Sequence, residues 1–114
     1  MNVDGSAAPR GLIRQGDLLL VPIAELPERA REGRRGRLVL AEGEATGHAH
    51  VVDDDRASLH RHPWSSDLYL SVVGDEPVFL VHEEHDPLAL TPGVYEVRRQ
   101  REYAPRAGFR RVRD

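Results

Sequence analysis

The chain has 114 residues, 39% of them hydrophobic, which suits a single domain with one modest core. It contains no cysteine, so disulfides, thiolate catalysis and cysteine-ligated zinc are excluded, and any metal would depend on His, Asp or Glu. The net charge of -3 conceals an acidic middle, because residues 41–86 carry eleven acidic side chains against two arginines, whereas residues 94–114 carry seven arginines against three acidic side chains.

The N-terminal segment carries no targeting signal that we recognise. Met1 to Arg14 lacks the apolar stretch of a secretory signal, and the chain has no run of roughly 18 apolar residues of the kind that a membrane helix needs. We therefore expect a soluble, cytoplasmic protein. Residues 1–13 contain Gly5, Pro9 and Gly11 without periodicity and are predicted to be a flexible arm, so a single β domain would extend over residues 14–114.

Short apolar segments separated by turns rich in Gly, Pro and Asp predict strands along most of the domain. Leu18–Val21 is a continuous apolar run ended by Pro22, which is typical of a strand buried on both faces. Ala24–Gly33 is predicted to be a short surface helical turn or a loop, and Asp53–Ser66 to be a polar hairpin tip or excursion. The other predicted strands are Leu38–Ala41, His48–Val52, Leu68–Val73, Val78–His82, Leu88–Leu90 and Val94–Arg101.

This pattern favours an all-β fold, a small single-domain β-barrel or sandwich of about 7–9 short strands with at most one short helix. The last strand shows the alternation of a half-buried strand. One face would carry Tyr95, Val97, Arg99, Arg101 and Tyr103, and the opposite face would carry Glu96, Arg98 and Gln100.

Four of the six histidines form two compact clusters, GHAH at residues 47–50 and HEEH at residues 82–85. On a strand, His48 and His50 share one face with their backbones about 6.5–7 Å apart, so both rings can converge on one ion or substrate. Gly47 before them indicates a constrained backbone that allows close approach. His82 and His85 have opposite parity, so only a turn at Glu84 or at Asp86-Pro87 lets both face one site.

These clusters predict a site for a divalent transition metal, Zn, Fe, Mn or Ni, with His48, His50, His82 and His85 as ligands. Of the nearby carboxylates, Glu84 is selected as the general base near a metal-bound water because it lies between two histidines. The predicted catalytic residues are therefore His48, His50, His82, Glu84 and His85. The other carboxylates that could serve are Glu42, Glu44, Glu83 and Asp86.

A simpler interpretation stays open. His48 and His50 could be exposed strand residues, and Glu83 and Glu84 could serve only to make a loop soluble. His60 and His62 repeat the spacing of the first pair, but they fall within the predicted polar excursion and are weaker ligand candidates.

The segments TGHAH, LVHEEH, PGVYEV and QREY make the chain similar to a group of small uncharacterised bacterial proteins that share them over Arg14 to Asp114. The resemblance implies one integral domain and no particular activity. A second likeness is to the cupins, small metal-binding β-barrels, whose first motif is echoed by Gly43, His48, His50 and Asp54. In cupins a third histidine follows a Pro-x-Gly, whereas here Pro92-Gly93 lies after His82 and His85.

Two other functions compete with metal binding. One is metal-independent processing of RNA or another phosphodiester, in which two histidines act as acid and base. Its phosphate and nucleic-acid residues would be Arg98, Arg99, Arg101 and Tyr103. The other is a non-enzymatic interaction module whose exposed histidines have no chemical role. Whichever of the three functions applies, we expect a homo-oligomer that forms through β edges, and RNA is an expected partner only for phosphodiester processing.

Overall fold

The structure is a computed structural model that describes residues 11–42 and 47–100. This part of the chain forms eight strands and contains no α-helix, and therefore no helix able to cross a membrane. The strands are β1 (Ile13–Gln15), β2 (Leu18–Ile23), β3 (Arg31–Glu42), β4 (Ala49–Arg61), β5 (Leu68–Val72), β6 (Val78–His82), β7 (His85–Leu90) and β8 (Gly93–Arg99).

All eight strands belong to one antiparallel, nearly closed barrel-like sheet, so the all-β prediction is confirmed. The strand order is β1-β2-β8-β5-β4-β6-β7, and β3 pairs with β4. β4 pairs with β5 through Ala57–Arg61 and with β6 through Val51 and Val52, so this one strand connects the two halves of the sheet.

The core is formed by leucines and valines from most strands, with one tyrosine among them. Leu18, Leu19 and Leu20 are all buried, which confirms that β2 is covered on both faces. Tyr95 is fully buried, and its hydroxyl donates a hydrogen bond to the Thr91 carbonyl at 2.6 Å. Burying each leucine stabilises the fold by roughly 1.5–3 kcal/mol relative to exposure. Tyr95 and partly buried Val97 lie on the inner face of β8, as alternation predicted.

The prediction of a polar excursion at Asp53–Ser66 is wrong for its first nine residues, because β4 continues to Arg61. Ala57 and Leu59 are buried, and the charged residues 53–56 come just before them, where the pairing of β4 with β3 is irregular. The β3–β4 register shifts between Arg35 and Gly36, where the partner residue jumps from Ser58 to Asp54. Such bulges bend a strand, and this one separates the part of β4 that pairs with β5 from the part that pairs with β6.

Two other segments differ from the predictions. Residues 24–30 form a loop in which the Ala30 N–H donates to the Pro27 carbonyl at 3.0 Å, so the loop alternative for Ala24–Gly33 is confirmed there. The prediction is wrong only at residues 31–33, because β3 begins at Arg31, well before the predicted start at Leu38. β2 continues past Pro22 to Ile23. β1 pairs only with Leu18–Leu20, so at Pro22 the strand has one neighbour, and a residue without an N–H is tolerated there.

Candidate metal centre

The two histidine clusters meet at one end of the sheet, where β4 begins, β6 ends and β7 begins. His82 is central, and its ring centroid lies 4.3 Å from that of His50, 4.7 Å from that of His85 and 5.7 Å from that of His48. Zinc–nitrogen bonds of about 2.0–2.1 Å place the centroids of two ligating rings roughly 5 Å apart. The rings of each of these three pairs are thus close enough to share an ion.

A tight hairpin turn brings His82 and His85 side by side. They are paired residues of the β6–β7 ladder, and Glu83 and Glu84 form the turn between them. The expectation that a turn resolves their opposite parity is confirmed, and Asp86-Pro87 lies inside β7 instead. The Glu84 N–H donates to His82 Nδ1 at 3.0 Å, which fixes the orientation of the ring.

His50 is held in one tautomer by Gln15. The Gln15 side-chain amide donates to the Leu80 carbonyl at 3.1 Å and to the Asp86 carbonyl at 3.0 Å, so its Oε1 is left as an acceptor. His50 Nδ1 lies 2.8 Å from that oxygen and must therefore carry the proton. The lone pair is then on Nε2, which is the arrangement of a metal-ligating histidine whose other nitrogen donates to a neighbour.

The electrostatics keep His50 neutral. Burial first, and then the charge of His82, lower the pKa of His50 to about 4. Its Nε2 lies 3.9 Å from Asp17 Oδ1. Burial opposes ionisation of Asp17, but a hydrogen bond of 3.1 Å from Arg99 and the charge of that arginine lower the pKa of the carboxyl below its usual range. At neutral pH a lone pair and a carboxylate therefore face each other, an arrangement that favours a cation between them.

Glu83 completes a group of three side chains that could hold a metal ion. One donor atom each from His48, His82 and Glu83 lies within 4.8 Å of the other two. Glu83 Oε1 accepts a hydrogen bond from the Ala49 N–H at 3.0 Å, and this bond, followed by one from its own backbone N–H, lowers the pKa of its carboxyl. Glu84, the predicted base, is exposed, and its Oε2 lies 3.4 Å from His48 Nδ1.

A close backbone approach occurs in the turn between β1 and β2. Gly16 has a φ of 61°, and a Cβ there would lie 2.9 Å from His85 Nε2 and 3.4 Å from His50 Cε1. Gly47, where we expected a close approach, does have a constrained backbone with a φ of 76°, but a Cβ on it would meet nothing within 4 Å among the described residues. The turn at Gly16 thus packs directly against two of the histidines.

The other candidate ligands lie elsewhere. His60 Nε2 hydrogen-bonds the Ser58 hydroxyl at 2.9 Å, and His62 accepts the Trp64 N–H at 3.1 Å in the turn after β4. Asp54, part of the cupin-like motif, pairs with Arg56 at 3.0 Å within β4. Glu42 ends β3, and Asp86 contributes its backbone carbonyl to Gln15. Gly43 and Glu44 lie outside the described residues.

The arginines of the phosphodiester hypothesis are engaged with acidic or carbonyl groups. Arg98 pairs with Glu96 at 2.8 Å. Arg99 pairs with Asp17 at 3.1 Å and donates to the Glu42 carbonyl at 3.2 Å. Arg101 and Tyr103, the other two members of this set, lie outside the described residues.

Sequence reasoning missed three residues beside the histidines: Gln15 at the end of β1, and Gly16 and Asp17 in the β1–β2 turn. Gly-Asp between two apolar segments is a turn signal that could have been used. Nothing in the sequence indicated that Gln15 would be buried, because a lone glutamine has no pattern; its role depends on contacts with residues more than sixty positions away.

Comparison with known proteins identifies a family but no characterised relative. The family described as a domain of unknown function, DUF8820, matches residues 14–100. No curated protein matches the chain. No solved structure matches it either.

Proposed function

The chain belongs to the DUF8820 family of domains of unknown function, and we propose that it binds a divalent transition metal through His48, His82 and Glu83. The mutual proximity of their donor atoms, within 4.8 Å, is the observation that carries the proposal. Ligand atoms around zinc are typically about 3–3.5 Å apart, so only small side-chain rotations are needed to close the site.

The donor set favours a site with an open coordination position. Two imidazoles and one carboxylate are the protein ligands of many catalytic zinc sites, where the fourth position holds water or substrate. His50 and His85 pack beside His82 and remain predicted further ligands. Zn, Fe, Mn and Ni all accept imidazole and carboxylate ligands, so the choice of metal stays open. Glu84 beside His48 stays the predicted general base.

Metal binding must compete with one hydrogen bond. In the metal-free chain the Nδ1 lone pair of His82 accepts the Glu84 N–H. A metal on Nδ1 would displace this donor, and a metal on Nε2 would require the proton to move to Nδ1, with the same loss. We therefore expect the Glu84 amide to be perturbed on metal binding, which an NMR titration with Zn²⁺ would detect.

The test is elemental analysis of protein purified without a His tag and without added metal or chelator. We expect about one equivalent of a transition metal per chain. His82→Asn should lower the affinity for added Zn²⁺ more than about 100-fold, because the asparagine oxygen can still accept the Glu84 N–H but the imidazole is lost.

His62→Asn is the matched control, because His62 Nδ1 also accepts a backbone N–H two residues further on. This variant should keep full metal binding. A wild-type protein that stays metal-free in the presence of excess Zn²⁺, or a His82→Asn variant that keeps its metal, would rule out the proposed site.

The two competing functions remain predictions with less support. Arg98 and Arg99 already hold carboxylates, and the pKa of about 4 for His50 is too low for an efficient acid or base at neutral pH. Cleavage of RNA by the wild-type protein in EDTA would favour phosphodiester chemistry. A metal-free chain that neither binds nor cleaves RNA would favour the interaction module.

A further inference from the structure

The outer face of β3, β4 and β6 carries a cavity of about 400 Å³ next to the metal centre. His82 and Glu83 line one end of it, Val51 and Val81 its middle, and Arg37 and Asp53 also contribute. Small-molecule sites commonly have volumes of about 300–1,000 Å³, with mostly apolar walls and a few placed polar groups. This cavity has that composition, and metal binding alone gives no role to its apolar and charged walls.

The floor of the cavity is apolar because valines of neighbouring strands lie next to one another. Val39 pairs with Val51 in the β3–β4 ladder, and Val51 pairs with Val81 in the β4–β6 ladder. Val39 and Val81 are exposed, and so is Phe79 further along the same face of β6. A ligand whose apolar body lies on Val51 and Val81 would remove the apolar surface of the cavity from water, which favours its binding.

Arg37 and Asp53 carry opposite charges at one position of the β3–β4 ladder. Their Cα atoms are partners in the register, and both side chains are exposed. Neither side chain makes a hydrogen bond or ion pair within residues 11–42 and 47–100, although side chains at such positions are normally close enough to interact. Both charges are thus available to a ligand.

We propose that this cavity binds an apolar α-amino acid, with its carboxylate on Arg37, its ammonium group on Asp53 and its side chain on Val51 and Val81. A simple carboxylate would be repelled by Asp53 and a simple amine by Arg37, whereas a zwitterion satisfies both. Arginine can bind a carboxylate through two parallel hydrogen bonds. The valine floor selects an apolar side chain over a polar one.

The order of residues along β4 places the metal centre beyond the amino acid's side chain. Asp53, Val51 and Ala49 follow at two-residue steps on the same face, each step about 6.6 Å, and the Ala49 N–H binds Glu83. The inference names the ligand class for the cavity beside the proposed metal site, and to that extent it rests on the proposed function. The amino-acid contacts themselves do not require a metal.

The experiment is an amide chemical-shift titration of the tag-free protein in EDTA with three probes of similar shape. These are L-leucine, isocaproate, which lacks the amine, and isoamylamine, which lacks the carboxylate. We expect leucine to bind at least about tenfold more tightly than either analogue, because each analogue leaves one charge in the cavity without a partner. Leucine that binds no better than isocaproate, or that causes no shifts, would overturn the proposal.

Variants assign the contacts. Arg37→Gln and Asp53→Asn should each weaken leucine binding about tenfold or more. The controls are Arg34→Gln and Asp55→Asn, exposed residues of the same two strands that do not line the cavity, and they should leave the affinity within about twofold of the wild-type value. Equal affinities in all four variants would also overturn the proposal.

A repeat of the titration with Zn²⁺ separates this inference from the proposed function. Leucine binding in EDTA by a protein that takes up no metal would leave the amino-acid site standing and remove the metal centre. Leucine that binds only with Zn²⁺, and independently of Arg37 and Asp53, would act as a metal chelator, which would support the metal centre and overturn the amino-acid site.

Discussion

Each of the central histidines is constrained by a different neighbour. His50 donates through Nδ1 to Gln15, whereas His82 accepts through Nδ1 from the Glu84 N–H. Neutral His50 therefore offers a lone pair on Nε2, and neutral His82 carries its proton there. The two rings, whose centroids are 4.3 Å apart, are thus in opposite tautomers, and the two residues should respond differently to acid and to metal.

We predict that His50 makes the metal-free protein less stable in acid. Its folded pKa of about 4 lies below the ordinary value of 6.5, so between these values the unfolded chain binds a proton that the folded chain does not. The contribution is present in full above pH 6.5 and is lost as the pH falls to about 4, by an amount on the order of 3 kcal/mol. Urea unfolding in a chelator across this range measures the loss.

The variant His50→Asn tests the assignment, because its side-chain amide can still donate to Gln15 but does not titrate. The pH dependence should become shallower without vanishing, since burial also lowers the pKa of His60 and gives a loss of the same sign. The same pH dependence in the wild type and the variant would show that His50 is not the group responsible.

At the scale of elements, the β1–β2 turn packs against the rings of His50 and His85. A side chain at Gly16 would be strained by its positive φ and would also collide with His85. We predict that Gly16→Ala lowers the free energy of unfolding by about 2–4 kcal/mol, the sum of left-handed backbone strain and overpacking. Thermal or urea unfolding measures the change, and the His85 ring resonances should move.

Gly47→Ala isolates the backbone part of this effect. Gly47 also has a positive φ, but no described residue lies within 4 Å of a Cβ placed there, so only the strain of about 1–2 kcal/mol should appear. Equal losses of stability in the two variants would show that the β1–β2 turn does not pack tightly against His85.

Elements with a simple pattern were predictable from the sequence, and elements shaped by long-range contacts were not. β6 was predicted with its observed bounds, and parity alone required the turn between His82 and His85. The strand predicted at His48–Val52 is shorter than β4, because Asp53-Asp54-Asp55 resembles a loop. In the structure Arg56 binds Asp54 and the Glu76 and Pro77 carbonyls, so these charges lie within a continuous strand rather than at its end.

The candidate site was likewise predictable only where local spacing along the chain determines it. The HxH and HEEH spacings identified the four histidines that the structure brings together. Glu83 was recognised as a nearby carboxylate, but its choice over Glu84 as a metal-ligand candidate was not predictable. Its carboxylate accepts a hydrogen bond from the Ala49 N–H, which belongs to another strand. Asp17 comes from a turn far away in sequence, and no local spacing could connect it with His50.

For the whole molecule, side-chain hydrogen bonds join strands that do not pair with each other in the sheet. β1 and β7 are the two ends of the strand order, and Gln15 of β1 bridges to carbonyls of β6 and β7. On the other side, Arg99 of β8 reaches the Glu42 carbonyl at the end of β3. Arg99 also pairs with Asp17 in the β1–β2 turn, so one side chain of β8 contacts two other parts of the sheet.

We predict that Gln15→Met breaks the side-chain link between β1 and the β6–β7 hairpin. The methionine fits the space, but it leaves the Leu80 and Asp86 carbonyls and the His50 Nδ1–H without their partner, which should destabilise the protein by about 3–5 kcal/mol. The affinity for Zn²⁺ should also fall about 10-fold or more, because His50 and the β6–β7 hairpin are no longer held in place. Urea unfolding and a metal titration measure the two effects separately.

The exposed amide of Gln100, which bonds the Arg14 side chain, provides the matched control. Gln100→Met should change stability by less than about 0.5 kcal/mol and leave metal affinity unaltered. Since Gln15 is the only one of the two glutamines whose amide joins both ends of the strand order, a Gln15→Met variant as stable as Gln100→Met would mean that the sheet closes by packing alone. Loss of stability with unchanged metal affinity would instead mean that His48, His82 and Glu83 are positioned independently of the closure.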